Sequence, residues 1–294
     1  MKLKRIVALI LLAAAVFICS VSAQDAGSKH PLWKVEGSGN SIYLLGSIHV
    51  LNRTNYPLAT PILQAFGNSP IAVFETEMDK LEEPEAQQKI QSLAVLPPGK
   101  TLEGELSPAV FASFSNHVRD AGLPLAEFTQ LKPFMAAMTL EVVELQKIGA
   151  QTEYGVDEFL LGRAHRLGKT VVPLETPDFQ INLATGFNKQ EGELLLKSTL
   201  RDIDNTKQLY GEMLRAWQTG DMAKLESMLN EGLHDVPVLF KKLVTDRTER
   251  WMPKIEELLK GDKQAIVIVG AGHLVGKQGL IELLKKKGWK ITQL

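Results

Sequence analysis

Two histidines follow strand-like runs in matched settings. In Leu44-Leu45-Gly46-Ser47-Ile48-His49-Val50 and in Ile268-Val269-Gly270-Ala271-Gly272-His273-Leu274, an apolar run leads to a glycine, two residues, a histidine and an aliphatic side chain. Glycine permits a sharp turn and close backbone approach. Gly46 and Gly270 are therefore the candidate cofactor-binding turns. Each throws its histidine out at the carboxyl edge of a sheet, where open α/β sheets keep their sites. One Gly-x-x-His says little, because a single histidine after a strand is more often structural. Two in the same grammar, on neighbouring strands, would bring two imidazoles together.

Carboxylates come next. In Ile71-Ala72-Val73-Phe74-Glu75-Thr76-Glu77, strand alternation puts Glu75 and Glu77 on the face of Ile71 and Val73. Glu77 is where such a strand surfaces. Glu75 directly follows Phe74 in an apolar run, and a carboxylate there needs a partner or a metal. Held by an ion rather than by the core, it is expected to tolerate Glu75→Gln with the fold near intact. Val172-Pro173-Leu174-Glu175-Thr176 repeats the theme, and Glu175 either backs the site or caps the following helix. In Thr245-Asp246-Arg247-Thr248-Glu249-Arg250-Trp251, Arg250 reads as an ordinary i,i+4 partner of Asp246. His30, His117, His165 and His234 lack such settings and read as surface or structural residues.

The one cysteine, Cys19, lies in the apolar leader, so a metal site in the rest of the chain must use imidazole and carboxylate. Two histidines and one or two carboxylates leave open positions on a Mn, Co, Fe or Zn ion, which can lower the pKa of a bound water. His-Glu-x-x-His, P-loop and Gly-x-Ser-x-Gly patterns are missing from the sequence. Gly270-Ala271-Gly272 lacks the third glycine of a dinucleotide turn, since Val275 stands there.

The elements that must position these residues are legible. Strand-like runs cover 32–36, 41–45, 71–76, 170–174, 265–269 and 289–292, the first two joined by the turn Gly37-Ser38-Gly39-Asn40. Helical patterns cover 108–121, 133–148, 156–167, 191–217, 222–229, 236–259 and 279–287. The expected fold is a single α/β domain, 24–294. Its central mixed β-sheet is built from both chain ends, and the stretches from about 80 to 150 and 180 to 260 are large helical insertions forming a cap.

Apolar residues make 45% and charged residues 23%, ordinary for a chain with a real core. A net charge of −1 carries no basic footprint, so nucleic acid is not an expected partner. Lys2, Lys4 and Arg5, the apolar run Ile6–Ile18, and Val21-Ser22-Ala23 before Gln24 follow the grammar of a secretory signal peptide, 1–23. The run is shorter than the ~20 residues of a spanning helix. Ile18 stands where lipid attachment at Cys19 would need a small residue. The expectation is export to the periplasm or medium, without a stable membrane span after cleavage.

These residues resemble the TraB/GumN family, which includes the animal Tiki proteases and is distantly similar to ChaN and erythromycin-esterase-like proteins. The matching segments are Leu32-Trp33-Lys34-Val35, the first Gly-x-x-His run, Val73-Phe74-Glu75, Gly155-Val156-Asp157, Leu174-Glu175-Thr176 with Gln180, Arg247 to Trp251, and the second Gly-x-x-His run. The resemblance spans nearly the whole mature chain. It implies a metal-dependent hydrolase, peptidase-like, acting on a peptide or small-molecule substrate, in which His49, His273 and Glu75 hold the ion and Glu75, Glu175 and Arg247 are the catalytic residues. The ChaN-like relatives imply an alternative: a non-catalytic haem-, iron- or peptide-binding regulator using the same pocket. One departure is Thr248, where relatives often carry Asn after the Arg. For export, mass spectrometry of the secreted protein is expected to show Gln24 first; retained Met1 or a lipidated Cys19 would contradict that reading.

Overall fold

The computed structural model describes residues 29–233 and 236–294. Six strands form one sheet: β1 (Leu32–Glu36), β2 (Ser41–Ser47), β3 (Ile71–Phe74), β4 (Thr170–Pro173), β5 (Ala265–Gly270) and β6 (Lys290–Gln293). Their order is β4-β3-β5-β2-β1-β6. β4, β3, β5 and β2 run parallel, whereas β1 is antiparallel to both β2 and β6. The sheet is therefore mixed and drawn from both chain ends, as expected. The β1–β2 turn closes with Gly37 N–H donating to the Asn40 carbonyl at 2.9 Å.

β5 lies between β2 and β3, which explains its unbroken apolar sequence: it is buried on both faces. Parallel register aligns Leu45, Ile268 and Phe74 in one row and Leu44, Val267 and Val73 in the next. Successive rows face opposite sides. The first row packs under helices Thr60–Asn68, Val156–Arg166 and Thr206–Gln218; the second packs under Asp246–Lys260 and Leu280–Lys286. A third apolar cluster, including Phe114, Phe128, Leu140 and Leu196, is built from the inserted helices alone. The cap thus has a core of its own. No helix of the described residues is long and apolar enough to cross a membrane.

Differences from expectation at three places have a local cause. β3 stops at Phe74, and Glu75 and Thr76 form a bend. Alternation therefore does not carry Glu77 to the face of Glu75; Glu77 instead pairs with Lys80 at 2.7 Å. The pattern over 191–217 divides into Lys189–Asp202, a short 3₁₀ turn Ile203–Asn205 and Thr206–Gln218. Asp202, Asp204 and Asn205 crowd that break, and their side chains compete with helical backbone. The block 236–259 is interrupted by a π-helical segment, Lys241–Thr245, directly before Asp246–Lys260. His234 and the leader 1–23 lie outside the described residues.

Candidate functional site

The two Gly-x-x-His turns lie at the carboxyl ends of neighbouring parallel strands, but they are not equivalent. Gly46 stands opposite Val269, and Gly270 opposite Ser47. That one-residue stagger turns the two glycines to opposite faces. A methyl on Gly46 would meet Ala271 Cα and Cβ at 3.1 Å, so Gly46 serves close packing of β2 on the second turn. Its carbonyl accepts from the buried Trp217 Nε1 at 2.7 Å. Gly270 faces the side chains that could do chemistry. A methyl there would sit 3.3 Å from His49 Nε2, 3.4 Å from Glu75 Oε1 and 3.7 Å from His273 Cδ2. The structure thus brings His49, His273 and Glu75 around one point, kept open because residue 270 has no side chain.

Glu75 and Glu175 come level because the β3–β4 ladder continues past the strand ends: Leu174 N–H donates to the Phe74 carbonyl and Glu175 N–H to the Glu75 carbonyl, both at 2.8 Å. Between their carboxylates lies Arg247, whose side chain is only 8% exposed. Its Nε donates to both oxygens of Glu175 at 3.0 and 3.1 Å, and Nη2 donates to Glu175 Oε2 at 2.8 Å and to Glu75 Oε2. Nη1 donates to the Leu243 carbonyl at 3.1 Å and to His273 Nε2 at 3.2 Å. Glu175 does not cap the following helix; Thr176 does, accepting from Phe179 N–H at 3.2 Å. Gln180 Nε2 donates to Glu175 Oε2 at 2.6 Å.

An arginine can only donate, so His273 Nε2 is an acceptor and the ring proton is on Nδ1. Nδ1 donates to Thr248 Oγ1 at 2.8 Å, and that hydroxyl donates to the Val244 carbonyl at 2.8 Å. Trp251 packs on the imidazole with ring centroids 4.4 Å apart. One helical face, Arg247, Thr248 and Trp251, therefore fixes both nitrogens and one side of the ring. Burial first, then Arg247 and His49, lower the His273 pKa to about 4 against the opposing pull of Glu75, so the ring is neutral. Thr248 supplies the acceptor that orients His273.

His49 is held from the other face of the sheet. Gly155 packs so closely on it that a methyl there would be 2.5 Å from the His49 carbonyl, and Val156 N–H donates to the Ile48 carbonyl at 3.0 Å. That docking brings Asp157, in the first turn of Val156–Arg166, to 2.9 Å from His49 Nδ1. Asp157 raises the His49 pKa to about 9, against the partial desolvation of the ring by its neighbours. The His49 side chain is nonetheless 59% exposed, and Nε2 carries no protein partner among the described residues. Glu75 is the reverse case. Burial works against its charge, but His273, Arg247, His49 and the Gly270 N–H, which donates to Oε1 at 2.8 Å, outweigh it and hold the pKa at about 2.

Glu75 accepts from both Arg247 and the Gly270 N–H, so in Glu75→Gln one of these two donors would face the amide N–H instead of an oxygen. One expectation is corrected by these contacts. Asp246 pairs with Lys241, and Arg250 lies over the Phe179 ring at 4.3 Å, so the Asp246–Arg250 pair is not made. His117 and His165 lie elsewhere, beside Asp204 and Asp79 at 3.4 and 2.8 Å, and His30 is buried near the chain end. Asp157, Thr248 and Trp251 were not assigned from sequence. They sat within the quoted segments, but only tertiary docking gives them roles.

The family model described as the TraB/PrgY/gumN family matches residues 31–293. The chain belongs to that family. It is 27% identical to the protein YbaP of Escherichia coli (strain K12) over 248 residues, 83% of this chain and 87% of that one. It is 20% identical to Metalloprotease TIKI1 of Homo sapiens, over 93% of this chain and 63% of that protein. Metalloprotease TIKI2 of Danio rerio is 21% identical over 85% of this chain and 57% of its own length. No solved structure matches significantly.

The metal that the Tiki relatives' names imply can be tested against these residues. The donors are right in kind. As they stand they do not fit an ion: no three His, Cys, Asp or Glu side chains among the described residues are placed to hold one. Arg247 already occupies the His273 Nε2 lone pair and one Glu75 oxygen.

The Asp157–His49 pair has a pH signature. A histidine whose folded pKa is raised adds stability that is complete below its unfolded value, about 6.5, and that stability is lost as pH rises through about 9. In Asp157→Asn, the His49 midpoint followed by NMR is expected to fall by a unit or more, and the alkaline loss of stability to flatten. An unchanged midpoint would contradict the pairing.

Proposed function

We propose that this chain is an exported hydrolase of the peptidase kind, with its reaction centre in the cradle over Gly270. The observation that carries this reading is the convergence of His49 Nε2, Glu75 Oε1 and the His273 ring on one point kept clear by a glycine. The distant relatives named metalloproteases support it.

The residues divide the work by their protonation. His49 is the exposed member, and its Nε2 is free to meet a substrate. With Asp157 behind Nδ1, the ring can give a proton to a leaving amine or, once deprotonated, take one from water. Glu75 stays ionised across the physiological range and acts as a fixed acceptor that orients a water or substrate N–H. Arg247 balances the buried carboxylates, and neutral His273 shapes the wall. The expected partner is a peptide entering from the His49 side. The Mn, Co, Fe or Zn ion expected on these residues enters no step here, because Arg247 holds two of its donors.

His49→Gln is the clean test, since the side chain is exposed and makes one polar contact, to Asp157. Hydrolysis of a fluorogenic peptide library by the mature protein is expected to fall by well over tenfold, the scale of a lost general acid or base, with Tm little changed. Glu77→Gln, outside the cluster, should leave the rate near that of the parent. Full activity in His49→Gln would overturn the assignment.

A further inference from the structure

We propose that the guanidinium of Arg247 and a divalent metal ion compete for the same donors, so that the wild-type site takes metal weakly. The inference rests on the cluster being the reaction centre. It goes further by naming what occupies the position a metal would need.

The five N–H groups of an arginine are all accounted for. One serves Glu175 from Nε, two on Nη2 reach Glu75 and Glu175, and two on Nη1 reach the Leu243 carbonyl and His273 Nε2. A metal ion binds His273 through a nitrogen lone pair. Nδ1 carries the proton given to Thr248, so Nε2 has the one lone pair, and Arg247 points a proton at it. Glu75 Oε1 lies 3.9 Å from that nitrogen, near enough to share an ion with it once Arg247 withdraws. A doubly charged ion there would stand against the guanidinium at contact distance in a buried site, where like charges repel strongly. The two cations therefore exclude each other.

Arg247 is also held from below. Its guanidinium carbon lies 5.0 Å over the Trp251 ring, and the carbonyl of Leu243 that it uses belongs to the π segment Lys241–Thr245. Such segments recur at functional positions in helices. Removing the guanidinium leaves Glu75 and Glu175 buried without their counter-ion, a demand that a metal ion meets.

The test is Co²⁺ titration of the mature protein, read by calorimetry and by the visible absorption of bound Co²⁺, for wild type, Arg247→Gln and the charge-balanced Arg247→Gln/Glu175→Gln. The double variant removes one positive and one negative charge, so it keeps the test alive if Arg247→Gln does not fold. The expected result is more than tenfold tighter binding in a folded variant than in wild type, and loss of that gain when His273→Ala is added. Wild type binding Co²⁺ as tightly as either variant would overturn the competition, as would a gain that survives His273→Ala. Because the readout is metal affinity, the outcome is separate from the hydrolase reading, which stands or falls on His49→Gln and peptide cleavage.

Discussion

The site depends on a single buried guanidinium. Arg247 ties the bend after β3, the loop after β4, the second Gly-x-x-His turn and the π segment to one another through hydrogen bonds. Burying three charged groups is costly, and such a network holds only when every donor and acceptor is used. Here all five N–H groups of Arg247 are engaged, and the Glu175 fork is bidentate, the geometry that favours arginine over lysine. Removing one partner from a buried pair of this kind costs about 3–5 kcal/mol. The arrangement of Glu75 and His273 follows from it, since each turns one polar atom to the guanidinium.

Around that centre the sheet works as a divider. Helix Asp246–Lys260 covers one face and sends Arg247, Thr248 and Trp251 over the strand ends; helix Val156–Arg166 covers the other and sends Asp157. The two histidines are consequently different in chemistry despite identical local grammar. His273 is buried, neutral and immobilised at both nitrogens, whereas His49 is exposed, carboxylate-backed and free at Nε2. Their pKa values diverge to about 4 and about 9. The divergence comes from what surrounds each ring: Asp157 behind His49, and burial with Arg247 around His273.

Much of this was legible in the sequence, because strand-end glycines and apolar runs are local signals. The six strands, the hairpin turn, the helical insertions and the meeting of His49, His273 and Glu75 near one strand end were readable from spacing. What was not readable depends on register and docking. The one-residue stagger between β2 and β5 decides that Gly270, not Gly46, faces the cluster, and no local pattern encodes it. The bend at Glu75 breaks the alternation that would have grouped it with Glu77. Asp157 reads as an ordinary first-turn acid until Gly155 packs on the His49 backbone. The π segment hides inside a continuous helical pattern, yet it sets where Arg247 and Thr248 point.

The central claim is that the open point over Gly270 is where the reacting group sits. Gly270→Ala tests it most directly. The backbone there has φ −49° and ψ 134°, which alanine accepts, so the change adds one methyl at the focus of His49, Glu75 and His273, 3.3 Å from His49 Nε2 and 3.4 Å from Glu75 Oε1, and the exposed His49 ring has room to give way. The quantity to measure is kcat/KM for peptide hydrolysis beside Tm. The account predicts a loss of more than tenfold in kcat/KM with Tm within a few degrees of the parent. Undiminished hydrolysis by the folded variant would contradict it.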